Sequence, residues 1–332
     1  MKIFLVGDSY SGTGPANVTK YYIENLPKGT RYQKFKSKLL RVPELLAKTV
    51  ISDVILFSGY SRQNILGLKF AKMFKKKTAY LMHGCVEYEN KINHEEDEEM
   101  CRVERKTLSD VDKILAVSES FANWLKEYYP EHATKIGYVA NAIDEDLIER
   151  AKQVSSSNRD RHMIFTVGGG MPRKKIKYIC DAIDILRREF DADLRLVVVG
   201  NVGADSDVID SYQFVDNLGI VPFEKAIECY EKAAVFVQNS CFETFGLAFV
   251  EAISVGCASL CSKEVGALCL VDNLRDCDVI THYDDSYEIA GKIKNLIMES
   301  NAEYLKGRID WENNTWKVRS KQLKRSLEQL VL

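Results

Sequence analysis

The sequence predicts an α/β protein built from two Rossmann-like units, each a parallel sheet covered by helices. Three observations carry this prediction. Short apolar strands alternate with helical stretches almost from end to end. A length of 332 residues is enough for two cores of ordinary size. The polar and glycine-rich segments follow strands, where ligands bind in open parallel sheets.

In the first half, strands read at Lys2–Gly7, Asp53–Ser58, Thr78–His83, Lys113–Ser118 and Lys135–Val139. Helices read near Pro15–Asn25, Arg62–Lys76, His94–Ser109 and Ser120–Tyr129. The polar, serine-rich segment Gln153–Arg161 reads as a linker. A second series follows, with strands at His162–Gly168, Leu194–Gly200, Phe214–Leu218, Val235–Gln238, Ala258–Ser262 and Asp278–Thr281. A last amphipathic helix, about Trp311 to Leu330, is rich in Lys and Arg. The expected division is residues 1–155, residues 156–310, and a closing segment 311–332 that packs back towards the first domain.

An apolar fraction of 46% with 28% charged residues is that of a soluble globular chain. No apolar run approaches the ~20 residues of a spanning helix, and the N-terminus enters a strand directly, so a cytoplasmic protein is expected. The nine cysteines lack paired C-x-x-C spacing, which favours reduced, buried thiols over disulfides or zinc.

Net charge is −2, yet residues 1–90 carry 15 Lys/Arg against 6 Asp/Glu. The basic residues concentrate in Lys28–Arg41 and Lys69–Lys77. In the second stretch Phe70, Met73 and Phe74 fit the buried stripe of an amphipathic helix. They fit equally a basic, partly apolar surface resting on an anionic leaflet. Nucleic acid is disfavoured, because no recognition motif accompanies the charge.

Chemistry concentrates in the run from Gln238 to Ala252, where an apolar strand passes through a loop carrying Glu243 into an apolar helix. Glu251 is the only charge between Phe245 and Gly256, and a carboxylate in such surroundings needs a partner. A helix start above a strand edge, here expected at Phe245, also suits a phosphate. Arg173 and Lys174 follow the triple glycine 168–170; they are either solvated charges or cations that neutralise a diphosphate. Glycine there lets backbone approach an anion closely. His83 ends an apolar strand, where a satisfied core histidine is the plainer reading.

Gly12-Thr13-Gly14 follows the first strand, but the full G-x-G-x-x-G fingerprint is absent. The acidic residue expected about twenty positions on is replaced by the basic run Arg31–Lys38, which disfavours a nicotinamide or flavin enzyme. D-x-D triplets occur at Asp110/Asp112, Asp191/Asp193 and Asp205/Asp207, and such abundance makes none a metal signal. Polar segments from both halves, all at strand ends, are expected to share one cleft.

These residues resemble the retaining glycosyltransferases of family 4, which have the GT-B fold of two Rossmann-like domains facing across a cleft. The match lies in E-x7-E, here Glu243 and Glu251 within Glu-Thr-Phe-Gly-Leu-Ala-Phe-Val-Glu-Ala. Val167-Gly168 with Pro172-Arg173-Lys174 resembles the family's diphosphate segment, and Val117–Ser120 and Asn141–Asp144 its markers near the end of the first domain.

The resemblance implies that Glu251 binds ribose hydroxyls and Glu243 hydroxyls of the donor sugar. It gives the N–H groups of Thr244, Phe245, Gly246 and Leu247 to sugar and β-phosphate, and Lys174 and Arg173 to the leaving diphosphate. It places His83 at the sugar's reactive face and Gly12, Thr13 and Gly14 on the diphosphate or acceptor side. Gly168 and Gly169 line the donor, and Asn201 and Val221 belong to loops that hold the base. Many relatives have arginine where this chain has Gly169, so that cation is absent or supplied by Arg173.

The implied activity is retaining hexosyl transfer from a UDP-sugar, a co-substrate, without cofactor or metal. The acceptor is a glycan or lipid-linked glycan of bacterial surface polysaccharide. The implied location is cytoplasmic, peripheral at the inner face of the membrane through the basic first domain. A nucleotide-sugar epimerase of the same fold and a non-catalytic nucleotide-sugar-binding subunit are the rival readings.

Overall fold

The computed structural model describes residues 1–35, 37–151 and 159–331. It divides into two compact units: Met1–Asn90 with Glu96–Ala142 and Asn314–Leu332, and Lys91–Glu95 with Ile143–Asn313.

The first unit is a six-stranded parallel sheet of β1 (Ile3–Gly7), β2 (Arg31–Tyr32), β3 (Val54–Ser58), β4 (Lys77–Met82), β5 (Lys113–Ala116) and β6 (Ile136–Tyr138), in the order β2-β1-β3-β4-β5-β6. Its helices are α1 (Gly14–Asn25), α2 (Lys38–Val50), α3 (Arg62–Met73), α4 (Val86–Asn93), α5 (Glu98–Asp110) and α6 (Glu119–Tyr128). The central strands are almost wholly apolar because helices cover both of their faces, and Val54–Phe57 are fully buried.

The second unit opens with α7 (Glu145–Ala151) and continues through β7 (Asp160–Val167), α8 (Ile176–Glu189), β8 (Arg195–Val199), α9 (Ser206–Asp210), β9 (Val215–Asn217) and α10 (Phe223–Lys232). It closes with β10 (Ala233–Gln238), α11 (Leu247–Ser254), β11 (Ala258–Ser262), β12 (Val279–Ile280), α12 (Ser286–Met298) and α13 (Ala302–Lys306). The strand order β12-β11-β10-β7-β8-β9 reverses direction between β7 and β10. That is the topological switch point, where loops part and a ligand fits. The last helix, α14 (Trp316–Val331), belongs to the first unit. Trp316 stacks on Tyr21 at 4.8 Å, and Lys113 donates to the Ser326 carbonyl at 3.2 Å.

Several expectations are corrected. The units divide between Ala142 and Ile143 rather than at 155, because α7 packs on α11 and buries Leu147. Of the linker read at 153–161, residues 153–158 lie outside the described residues. The helix read from His94 starts at Glu98: His94 sits at φ 58, outside any helix, and Asp97 caps α5 by accepting from the Met100 N–H, while α4 before it is not foreseen. Sequence pattern does not foresee β2 or α2; β2 has two residues, and α2 contains Pro43, an ordinary helix breaker.

Phe70, Met73 and Phe74 are not the buried stripe of α3. Asn64, Gly67, Leu68 and Ala71 are, because Gly67 lets the helix close onto the Phe57 ring. Phe70 and Phe74 are half-buried and Met73 is exposed. All nine cysteines are free thiols, six of them buried. No described helix is long and apolar enough to cross a membrane.

Candidate active site

At the switch point of the second unit, two loops close on each other backbone to backbone. The N–H groups of Gly168 and Gly169 donate to the Val199 carbonyl, and that of Gly170 to the Asn201 carbonyl. A Cβ on Gly169, whose φ is +56, would lie 2.1 Å from the Asn201 oxygen; one on Gly170 would lie 2.0 Å from Ser206 Oγ. The triple glycine therefore serves loop-to-loop packing, and its three N–H groups are already paired. The same packing leaves no room for a side chain at 169. Gly168 does something different. A Cβ there would meet Lys174 Cγ at 2.4 Å, so this glycine makes room for the lysine stem.

That stem leads Lys174 Nζ onto Glu243, in a direct ion pair. Arg173 Nη1 lies 3.5 Å from the same carboxylate oxygen and donates to the Phe242 carbonyl at 3.3 Å. Gln238, the last residue of β10, donates to it at 3.1 Å. Glu243 keeps only 11% of its side chain exposed. Burial alone would raise its pKa, but Lys174 and Arg173 outweigh it and bring the carboxyl down to about 2. Glu243 is thus held as an anion beside two cationic side chains.

The loop is held in turn. Cys241 N–H donates to the Arg173 carbonyl at 2.8 Å, Gly266 N–H to the Glu243 carbonyl and Ala267 N–H to that of Phe245. Arg173 N–H reaches Asn93 Oδ1 at 3.2 Å. Gly246, at φ +92, cannot be helical, so α11 begins at Leu247 rather than at Phe245 as expected. Its first turn offers backbone N–H groups and the positive end of the helix dipole.

Glu251 lies one turn further along α11, at i, i+4 from Leu247. Tyr230, fully buried in α10, donates its hydroxyl to Glu251 Oε2 at 3.2 Å. Burial raises this carboxyl to about 7; the Tyr230 hydrogen bond pulls it down and Asp144 pushes it up. The two glutamates are therefore prepared differently, one as a fixed anion and the other poised near neutrality. Asn201 is exposed and Val221 half-buried. Beside them Gly200, Val202, Asn217 and Gly219 line a shallow cavity of about 370 Å³, flanked by exposed Val202 and Ile220.

In the first unit, His83 follows β4. Its Nε2 lies 2.9 Å from Ser58 Oγ, which lies 2.7 Å from Thr19 Oγ1. Burial lowers the imidazole to about 4, so it is neutral at physiological pH. Thr13 caps α1 by accepting from the Ala16 N–H. A Cβ on Gly12 or Gly14 would touch nothing within 4 Å, so this loop is open. Gln238, Tyr230, Asn93, Ser58 and Thr19 escape sequence reasoning; each is a support whose partner is distant in the chain or on another element. The one signal available is Gln238, a polar end to an otherwise apolar strand.

Among the described residues, His162, Asp191 and Asp193 bring three potential metal-ligating atoms within 4.8 Å. They lie near the start of β7, away from the strand-carboxyl edge, and Asp191 is already flanked by Arg161 and His162.

Comparison with known proteins identifies the fold and the family. Over 170 residues the chain is 29% identical to O-antigen chain mannosyltransferase B of Escherichia coli, a match covering 45% of this chain and 42% of that protein. The chain thus matches less than half the length of this curated relative. Two solved structures share the whole fold. Anabaena Alr3699/HepE, in complex with UDP and glucose, gives a TM-score of 0.71 at 14% identity over 99% of this chain and 100% of that chain. Sucrose-phosphate synthase from Thermosynechococcus elongatus gives 0.71 at 16% identity over 99% of each chain. These likenesses identify the two parallel-sheet units as a GT-B fold. The model of the family described as glycosyl transferases group 1 matches residues 148–315, just over half of the chain and all of the Glu243–Glu251 site, so this protein belongs to the group 1 glycosyl transferases.

Proposed function

We propose that this protein is a retaining glycosyltransferase of the family 4 type. It moves a hexose from a UDP-sugar to a hydroxyl of a lipid-linked glycan in bacterial surface polysaccharide assembly. The observation that carries the reading is the buried cluster of Glu243 with Lys174 and Arg173 at the β7/β10 switch point, just before the helix that bears Glu251. The UDP bound by Alr3699/HepE and the O-antigen chain of the mannosyltransferase support the choice of donor and acceptor.

In this reading Glu251 accepts hydrogen bonds from the ribose, and Glu243 from hydroxyls of the transferred sugar. Lys174, Arg173 and the N–H groups of Thr244 to Leu247 stabilise charge growing on the departing β-phosphate, the dominant electrostatic demand. When diphosphate arrives, Lys174 exchanges part of its contact with Glu243 for the phosphate, and freed carboxylate oxygen faces the sugar. Asn201 and Val221 serve the base. Neutral His83 offers a hydrogen bond without a competing charge, and the open Gly12–Thr13–Gly14 loop admits the acceptor. Among the described residues no side chain supplies an obvious covalent nucleophile, so the departing phosphate takes the acceptor proton on the same face. The protein uses the nucleotide-sugar as co-substrate and needs neither cofactor nor metal.

Calorimetry with UDP, ADP and GDP, followed by NMR of donor incubated with and without glycan acceptors, tests the proposal. Binding of UDP and acceptor-dependent release of UDP are expected. Conversion of the donor sugar without any acceptor would point to the epimerase instead.

A further inference from the structure

The strand-carboxyl edge of the first unit carries an apolar projection that internal packing does not use. Between β2 and the body of α2, Phe35 is 46% exposed, Leu39 86%, Leu40 52% and Val42 44%. α2 buries only its later turns, through Glu44, Leu45 and Thr49. Pro43 has no N–H to offer the Leu39 carbonyl, so the first turn is less tied to the rest of the helix.

The projection is nevertheless built into the unit. The Glu44 carboxylate accepts from Lys34 N–H at 2.9 Å and Phe35 N–H at 3.1 Å. Arg41 Nε donates to the Phe35 carbonyl at 3.0 Å, and Lys48 Nζ to the Tyr32 carbonyl at 2.6 Å. Around it the sequence is one-signed: Lys28, Arg31, Lys34, Lys36, Lys38 and Arg41, with no acidic residue before Glu44, which is buried.

Large apolar side chains at the tip of a cationic segment match the boundary of an anionic bilayer, where apolar groups enter the acyl region and cations meet headgroup phosphates. A nucleic acid would give the four apolar side chains no counterpart. Topology separates this segment from the second basic stretch. Lys72–Lys77 ends α3 and opens β4 at the amino edge of the sheet, and a helix of α3's length spans about 18 Å. A flat leaflet engages one edge. The carboxyl edge also carries the Gly12–Gly14 loop and His83, so a leaflet there would present a lipid-linked acceptor beside them.

We propose that Phe35 and the start of α2 dock this protein on an anionic membrane, with Phe35, Leu39, Leu40 and Val42 in the acyl boundary and Lys34 and Arg41 on the headgroups. The choice of lipid as occupant rests on the acceptor proposed above, but docking is read without donor or acceptor, so the two can fail separately.

The test is co-sedimentation of the full chain with vesicles of phosphatidylcholine alone or mixed with phosphatidylglycerol, at low and high salt. Binding to the mixed vesicles only, weakened by salt, is expected. L39E/L40E should lower partition at least ten-fold with unchanged thermal unfolding and UDP affinity. Val50, Ile51 and Met73 are exposed at the amino edge, so K72E/K75E/K76E probes the rival face and should retain most of the binding. L39W should shift its fluorescence to the blue on mixed vesicles. The proposal is overturned if the native chain stays in the supernatant, if L39E/L40E binds as the native chain does, or if the lysine variant alone loses binding.

Discussion

The carboxyl edges of the two sheets are made in opposite ways. In the second unit, loops are zipped backbone to backbone, a buried carboxylate is held by two cations and an amide, and a glycine fixes the helix start. In the first unit, the glycine loop stands open, a neutral histidine rests on a chain of hydroxyls, and apolar residues project into solvent. A site for an unvarying group, a nucleoside diphosphate, repays rigidity, because donors already in place need no reorganisation during reaction. A site for a large and variable acceptor needs room. In the function proposed above, the second unit's edge suits the nucleoside diphosphate and the first unit's edge the acceptor.

The largest expected effect breaks the rigid side. Glu243→Gln and Lys174→Ala should each lower turnover by about a hundred-fold or more, measured as UDP released from donor in the presence of acceptor. Both variants remove an interaction within one cluster, so the double variant should lose much less than the product of the two losses. Near-normal transfer by both single variants would remove the site from contention. Next, Glu251→Ala should weaken UDP binding by about ten- to a hundred-fold in calorimetry and change kcat little, because a ribose contact is equal in ground and transition states. Tyr230→Phe should reproduce a fraction of that loss, since the hydroxyl only holds the carboxylate.

Gly169→Ala sharpens the comparison on stability. The left-handed backbone and the contact with the Asn201 oxygen together should cost about 2–4 kcal/mol, seen as a lower Tm. Placing at 169 the arginine that the family resemblance leads one to expect should therefore harm this chain rather than improve it.

A smaller effect follows from the two carboxyls. Ribose hydroxyls donate to an ionised carboxylate, and Glu251 sits at about 7. Raising the pH from about 6 to about 8 should therefore increase UDP affinity up to about ten-fold, the direction given by gain of the anionic form. Glu251→Gln should leave only the change due to the phosphate itself. Glu243 does not titrate in this range, being held near 2.

What the sequence makes legible follows the same division. The E-x7-E spacing, the cations after the triple glycine and the alternation of strands are local, and local patterns survive in a single chain. The supports of the site are not local: Tyr230 reaches Glu251 from another helix, and Ser58 reaches His83 from a neighbouring strand. Gly169 and Gly170 are legible as a requirement for glycine, yet the cause, a second backbone at contact distance, comes from residues 200–203. Hydropathy misplaces the α3 stripe because Phe70 and Phe74 are more apolar than Gly67, while contact with Phe57 depends on size. α2 escapes because Pro43 argues against a helix that tertiary packing of Leu45 and Thr49 nevertheless sustains.

The smallest expected effect is the sharpest control on the comparison. Gly14 opens α1 with negative φ, and a Cβ there would meet nothing within 4 Å. Gly14→Ala should thus leave stability within about 0.5 kcal/mol of the native chain, or raise it, since alanine narrows the unfolded ensemble and favours helix. UDP affinity should be unchanged, while KM for a bulky glycan acceptor should rise if the open loop admits that substrate. A drop in stability as large as that of Gly169→Ala would mean that the first unit's loop is as tightly built as the second's. A change in UDP affinity alone would move Gly14 to the diphosphate side.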